Sequence, residues 1–268
     1  MSRSASGPGR PVAIVTGASS GIGRAVAVLL GRRGYHLAIL ARRAAKLEEL
    51  AAELSRVTTS TVLPLDLART EAIEAAIEGI RAHGPIELLV NNAGGGLYRP
   101  FLAHSLDDFR RLMAVHYFAA VSTIRAVLPG MIERRRGHVI NVASIAVKMA
   151  PWGHAGYAAA KAALAALTQT LAAEHAESPV RFSLVHPGIV DTEYFDDPSY
   201  ETLRPRVRRH AISAEHAARR IVGLIDRPRL ELCIPAHYRV MDWFRALSPS
   251  LTHRLVARQS RPVDAGRE

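Results

Sequence analysis

Tyr157 and Lys161 stand four residues apart in the Ala-rich run GHAGYAAAKAALAALTQTLAAE. That composition favours a helix, and a spacing of four puts both side chains on one face. Ser144 closes an apolar run, residues 139–143, with the length and continuity of a buried strand. An ammonium beside a phenol favours the phenolate, so Lys161 is expected to lower the Tyr157 pKa from its usual value of about 10. A nearby hydroxyl can hold a substrate oxygen against that phenol. Proton transfer to or from an oxygen is the chemistry this trio suits. The YxxxK spacing alone is common by chance, so the rest of the chain has to decide.

The elements that must position the trio alternate in type. Apolar runs at 12–16, 37–40, 61–65, 86–90, 139–143 and 180–185 read as strands. Between them lie helical patterns. GIGRAVAVLLGRRG stops at Gly34, AAKLEELAAELSR is amphipathic, and residues 71–82 end before Gly84-Pro85. A long helical stretch covers 107–134, with Pro129 near its end, and the Tyr/Lys helix follows strand five. Strict alternation predicts a parallel sheet with helices on both faces, and continuous apolar strands are what two-sided burial requires. In such sheets ligands gather outside the carboxyl ends of the strands. The Gly-rich turn after strand one, Asp66, NNAG, Ser144 and HPG all follow strands directly, so they should share one edge.

Composition narrows the class. The chain has 268 residues, 49% of them apolar, enough for one large α/β domain and too apolar for a disordered chain. One cysteine, Cys233, rules out an internal disulfide framework and fits a reducing, cytoplasmic compartment. The opening MSRSASGPGR lacks an apolar core and is expected to be a loose tail, residues 1–10, rather than a signal peptide. No stretch of the sequence reads as a membrane span. The net charge of +11 invites a nucleic-acid reading, but only Lys46, Lys148 and Lys161 among the 35 basic residues are lysines. An Arg- and Ala-heavy composition of this kind needs no nucleic-acid partner, and none is expected. Nor is a metal.

Gly17, Gly21 and Gly23 lie between strand one and the first helix, spaced GxxxGxG. Glycines there let backbone N–H groups and a helix N-terminus approach a phosphate. TGASSGIG, NNAG at 91–94, the Ser144/Tyr157/Lys161 set, and Pro187-Gly188 with Thr192 together resemble the classical short-chain dehydrogenase/reductase family over about residues 10–235. The resemblance implies a single Rossmann-type domain, residues 11–235. Its doubly wound parallel sheet would have about seven strands. It also implies NAD(P)-dependent hydride transfer between nicotinamide and a carbonyl or alcohol. In that comparison Gly17, Ser19, Ser20, Gly21, Ile22 and Gly23 take the cofactor phosphates. Asp66 and Leu67 take the adenine side, Asn91, Ala93 and Gly94 the strand-four contact beside the ribose, and Pro187, Gly188 and Thr192 the carboxamide side. Tyr157 is the proton donor, Ser144 holds the carbonyl oxygen, and Lys161 holds the ribose and lowers the tyrosine pKa.

Strand two ends Leu40-Ala41-Arg42-Arg43, with no carboxylate to hold a ribose 2′-hydroxyl. A guanidinium binds a 2′-phosphate in a fork, so NADP(H) is expected over NAD(H), mainly through Arg42. One position departs from the family pattern. His116 stands where family members commonly carry an asparagine that supports a water relay to the lysine. An imidazole bonds through either nitrogen and ordinarily titrates near neutral pH. His116 is therefore open to three readings: a proton relay, a tolerated substitution, or weakened catalysis. The last would make the chain a nucleotide-binding regulator on the same fold.

On the substrate side, Ile145, Ala146, Trp152 and Leu97 are expected to form an apolar pocket beside Ser144, suited to a lipophilic carbonyl compound. The polar segment 189–211 matches the family's mobile lid. Residues 200–268 carry 14 Arg, no Lys and 7 acids, a local balance of +7. Residues 236–268 read as a basic amphipathic extension, with Val240, Trp243, Phe244, Leu247, Leu251 and Leu255 at helical spacing, interrupted by Pro249. That stripe either lies on an anionic membrane or packs on the domain, a partner subunit or the substrate cleft. A homodimer or homotetramer is the family expectation.

Overall fold

A computed structural model describes residues 10–260. All five residues of Val12–Thr16 (β1) and all six of His36–Ala41 (β2) are buried, so neither face of these strands meets water. Helix Gly21–Arg32 (α1) connects them, and Gly34 turns the chain back at a φ of +86°. Helix Ala44–Leu54 (α2) leads to Ser60–Pro64 (β3), and Glu71–Ile80 (α3) leads to Ile86–Asn91 (β4). The chain continues through Leu106–Met113 (α4), Ala119–Glu133 (α5), His138–Val142 (β5), a single turn at Ala146–Met149 (α6) and Ala155–Glu174 (α7) to Arg181–Pro187 (β6). Val190–Asp191 (β7) pairs with Ile212–Ser213 (β8) beside the main sheet, flanking Arg204–Arg209 (α8). Ala214–Val222 (α9) and Glu231–Ile234 (β9) complete the domain, and Val240–Leu247 (α10) and Pro249–Ser260 (α11) follow it.

The main sheet has seven parallel strands in the order β3-β2-β1-β4-β5-β6-β9, the doubly wound Rossmann arrangement expected. Its winding reverses between β1 and β4, which places the ligand crevice at the carboxyl ends of those two strands. One core packs α1, α2 and α9 against the sheet, and a second packs α3, α5 and α7 on the other face. In α3 the spacing of Ile73, Ile77 and Ile80 makes one fully buried stripe, each side chain contributing about 1.5–3 kcal/mol of burial.

The sheet is also pinned by polar groups. Asn91 Nδ2 donates to Asn141 Oδ1 (2.9 Å), Thr123 Oγ1 donates to Asn91 Oδ1 (2.8 Å), and Asn141 Nδ2 donates to Thr168 Oγ1 (2.9 Å). These bonds lock β4, β5, α5 and α7 in one register beneath the carboxyl edge of the sheet.

Two sequence expectations change here. The helix expected over 107–134 is broken by a π-helical segment, Ala114–Phe118, which carries His116. Such insertions turn side chains off the α-helical register and are frequent at functional sites. The combined run Leu106–Glu133 is also long and apolar enough to cross a membrane, contrary to the sequence reading. Ser105 and Asp108 cap its start reciprocally, and on its inner side Ile124, Val127 and Met131 are buried against the sheet. Of the expected N-terminal tail, residues 1–9 lie outside the described residues.

Candidate active site

The glycine turn is built from backbone. Gly17 and Gly21 take φ values of +68° and +54°, open to glycine at no steric cost. A Cβ on Gly23 would stand 2.3 Å from the Gly17 carbonyl oxygen and 2.5 Å from Asn92 Nδ2. Asn92 braces the turn by donating from Nδ2 to Thr16 O (3.1 Å), while the N–H groups of Asn92 and Ala93 both donate to Thr16 Oγ1 (3.0 Å). The result is a turn with no side chain at its three glycines, at the start of a twelve-residue helix, which fits a dinucleotide phosphate. Ile22 points away from it and packs into the α1–α9 core.

Asp66 and Leu67, expected on the adenine side, follow β3. Asp66 Oδ1 accepts from Ala68 N (3.2 Å), and Leu67 is buried. The Asn91 side chain is consumed by Asn141 and Thr123, so a ribose contact there falls to its backbone. Arg42 is exposed. Arg43, one residue on, reaches the turn, its Nη2 donating to Ser19 Oγ (3.0 Å) and Ser20 Oγ (2.7 Å).

Above the cradle lies the segment 192–200. The Thr192 methyl rests where a Cβ on Gly21 would meet it at 2.8 Å. Glu193 Oε2 pairs with Arg43 Nη1 at 2.5 Å, which holds the Glu193 carboxyl below its ordinary range. The Tyr194 hydroxyl is hydrogen-bonded to Tyr157 and accepts from Tyr200 (2.9 Å), and Tyr200 is in turn within 3.3 Å of His154 Nε2. A Cβ on Gly96 would overlap both tyrosines, at 2.2 Å from Tyr200 and 2.3 Å from Tyr194. Tyr98, Trp152, His154, Tyr194 and Tyr200 therefore wall the space beside Tyr157 with rings. The pocket expected from Ile145, Ala146, Trp152 and Leu97 becomes an aromatic one. Ile145 and Ala146 are buried under Ser144, and Leu97 is half-buried.

Ser144, Tyr157 and Lys161 come together at the carboxyl edge of the sheet. Ser144 follows β5, held by Ile145 N donating to Pro187 O (2.9 Å) and by His186 Nδ1 at 3.1 Å from Ser144 O. Gly188 N donates to Ile234 O (2.7 Å), fixing the end of β6 to β9. The hydroxyls of Ser144 and Tyr157 are hydrogen-bonded, and Lys161 Nζ donates to Val142 O at 2.6 Å. The pKa pattern departs from the sequence reading. Burial raises the Tyr157 pKa despite the Ser144 and Tyr194 hydrogen bonds that lower it, and burial depresses Lys161 to about 7. Tyr157 is therefore a protonated phenol at neutral pH.

His116 is buried edge-on to the Tyr157 ring, with centroids 5.2 Å apart. Its Nε2 lies 2.8 Å from the Gly95 carbonyl, which can only accept, so Nε2 carries the proton. A Cβ on Gly94 would fall 2.2 Å from the imidazole, so the glycine makes room for this histidine. Burial, then the Lys161 charge, pulls the His116 pKa to about 3. It stays neutral at physiological pH and does not titrate there. Beside it lies a cavity of about 10 Å³ lined also by Thr16, Asn91 and Val115, room for roughly one water.

The family model for short chain dehydrogenases matches residues 11–201. The chain belongs to the short-chain dehydrogenase/reductase family. It is an NAD(P)-dependent oxidoreductase of that type. Dehydrogenase/reductase SDR family protein 7-like of Drosophila melanogaster is 30% identical over 266 residues, spanning 94% of this chain and 81% of its own. A short-chain dehydrogenase from Sphingobium yanoikuyae, solved with NADPH, superposes with a TM-score of 0.79 at 26% identity over 95% of this chain and 99% of its own. A metagenomic short-chain oxidoreductase solved with NADP has a TM-score of 0.71 at 33% identity, covering 83% and 96%. Among the described residues no cluster of His, Cys, Asp or Glu could hold a metal ion.

Sequence reasoning missed Asn92, Arg43, Glu193, Tyr194 and Tyr200. Arg43 adjoins the residue chosen. The tyrosines are separated from Tyr157 by some forty residues, and no spacing rule links them.

Proposed function

We propose that this oxidoreductase uses NADP(H) to interconvert a carbonyl and a secondary alcohol, with Tyr157 as the acid and base. The hydrogen-bonded Ser144–Tyr157 hydroxyl pair carries this reading. It is buried at the carboxyl edge of the sheet, next to a phosphate cradle. Bound NADP(H) supplies or accepts the hydride. Ser144 Oγ and the Tyr157 hydroxyl together grip the substrate oxygen, which takes the place of the Tyr194 hydroxyl on Tyr157. A raised pKa keeps the Tyr157 proton available for donation to that oxygen, and Ser144 stabilises the charge developing on it. Lys161, near 7 without an anion beside it, gains charge when a ribose or phosphate oxygen approaches. Arg43, with Arg42 alongside, binds the 2′-phosphate, which displaces Glu193. Solved neighbours carrying NADP(H) support that preference. The aromatic wall favours an apolar, ring-bearing carbonyl compound.

The competing reading, a nucleotide-binding regulator, draws on the buried His116 and on residues 192–200 lying across the cleft. A panel of lipid, steroid and small aromatic carbonyls, run with NADPH and with NADH, separates the two. Turnover with NADPH preferred supports the enzyme. NADPH binding without turnover on any member supports the regulator.

A further inference from the structure

Helices α10 and α11 turn their apolar residues outward. Val240, Trp243, Phe244, Leu247, Leu251 and Leu255 recur at helical spacing and are 49–81% exposed, Leu247 the most. The opposite faces are fixed to the domain. Asp242 accepts from Lys148 Nζ (2.8 Å), Arg245 Nη1 donates to Val147 O (3.2 Å), and Thr252 and Val256 are buried. At the far end Trp152 N donates to Ser260 Oγ (2.9 Å). The outward orientation is thus set by bonds on the inner face. Packing on the domain, one of the options left open by the sequence, leaves about half or more of each of these six side chains uncovered.

The charge around the stripe says what covers it. Within 236–260 the acids number one, Asp242, and Lys148 already holds it. Arg239, Arg245, Arg254 and Arg258 form no ion pair among the described residues. A two-fold contact between copies would set this patch against itself, bringing Arg239, Arg254 and Arg258 from each side with no free carboxylate within 236–260 between them. A lipid surface bearing anionic headgroups satisfies both features, since it takes the apolar side chains into its interface and the guanidinium groups at its phosphates. Large exposed apolar patches rimmed by charge mark such sites.

We propose that α10 and α11 form a docking face for an anionic membrane surface. The full chain is tested by co-sedimentation with phosphatidylcholine vesicles, with and without phosphatidylserine, at low and high salt. Binding is expected only to the phosphatidylserine vesicles and weakens with salt. Leu247→Ser with Trp243→Ser, and separately Arg254→Glu with Arg258→Glu, each lower the partition coefficient roughly tenfold. Melting temperature stays unchanged, because these side chains contact solvent. Three results overturn the proposal. One is no binding to either vesicle, and another is binding indifferent to phosphatidylserine or to the substitutions. The third is a dimer in sedimentation velocity that Leu247→Ser dissociates, which would assign the face to a second copy.

Discussion

The two walls of the cofactor crevice are made in different ways. The lower wall, from Gly17 to α1 with Asn92 beneath it, is held by backbone geometry and close approach, and almost nothing in it can move without a clash. The upper wall, residues 192–200, meets the lower wall and Tyr157 through side chains: Thr192 on Gly21, Glu193 on Arg43, Tyr194 on Tyr157. A wall of backbone is a preformed receptor. A wall of surface ion pairs and shared hydroxyls is one that a ligand can displace, because each contact is worth little and each is replaceable by the ligand's own groups. The comparison assigns rigidity to the phosphate side and adaptability to the substrate side.

Tyr157→Phe, where the walls meet, should have the largest effect. It should lower turnover by about 10²–10⁴-fold while NADPH still binds, as read by steady-state kinetics beside a fluorescence titration. Equal losses of turnover and binding would instead make Tyr157 a part of the cradle. On the rigid side, Gly23→Ala should destabilise the fold by about 1–3 kcal/mol and abolish NADPH affinity, since the Gly17 carbonyl cannot retreat. Thermal melting and NADPH titration check both halves. On the adaptable side, Glu193→Gln should do the opposite and tighten NADPH binding by up to about fivefold, the scale of an exposed ion pair. Weaker binding would show that residues 192–200 help to hold the cofactor rather than giving way to it.

The smallest effect at neutral pH concerns His116 and His138, with pKa values lowered to about 3 and about 4 by burial. Below about 6.5 the unfolded chain binds protons at both residues that the folded chain refuses. Stability is therefore complete above that pH and should decline progressively as pH falls towards 3. His116→Asn should flatten part of this decline in melting temperature against pH. If the same variant gains greatly in turnover, His116 has no positive catalytic role.

The difference between the walls also explains what the sequence disclosed. The strands, the glycine turn and the Tyr157–Lys161 helix were legible because each is specified within a dozen residues by apolar continuity, by glycine, or by helical spacing. The family motifs then placed them on one edge. Arg43 meets Glu193 across 150 positions, and Gly96 makes room for Tyr200 across about a hundred, so neither contact leaves a local pattern. β9, Glu231–Ile234, escaped notice because four residues give too short a run, although the sheet needs it to hold Gly188. The pKa of Tyr157 was misjudged for a related reason. Spacing reveals that a lysine is near, but not that both groups are buried deeply enough for burial to dominate their pKa values. His116 is the reverse case: a residue visible as unusual, whose neutrality follows from burial, with Gly94 making the room.

The most direct test of the account follows the hydride itself. NADPH deuterated at the transferable C4 position is incubated with the protein and each carbonyl of the panel, and the products are read by mass spectrometry. The account predicts deuterium on the carbinol carbon of at least one product, and loss of that label with Tyr157→Phe. NADPH bound to the protein with no deuterium delivered to any carbonyl would contradict it.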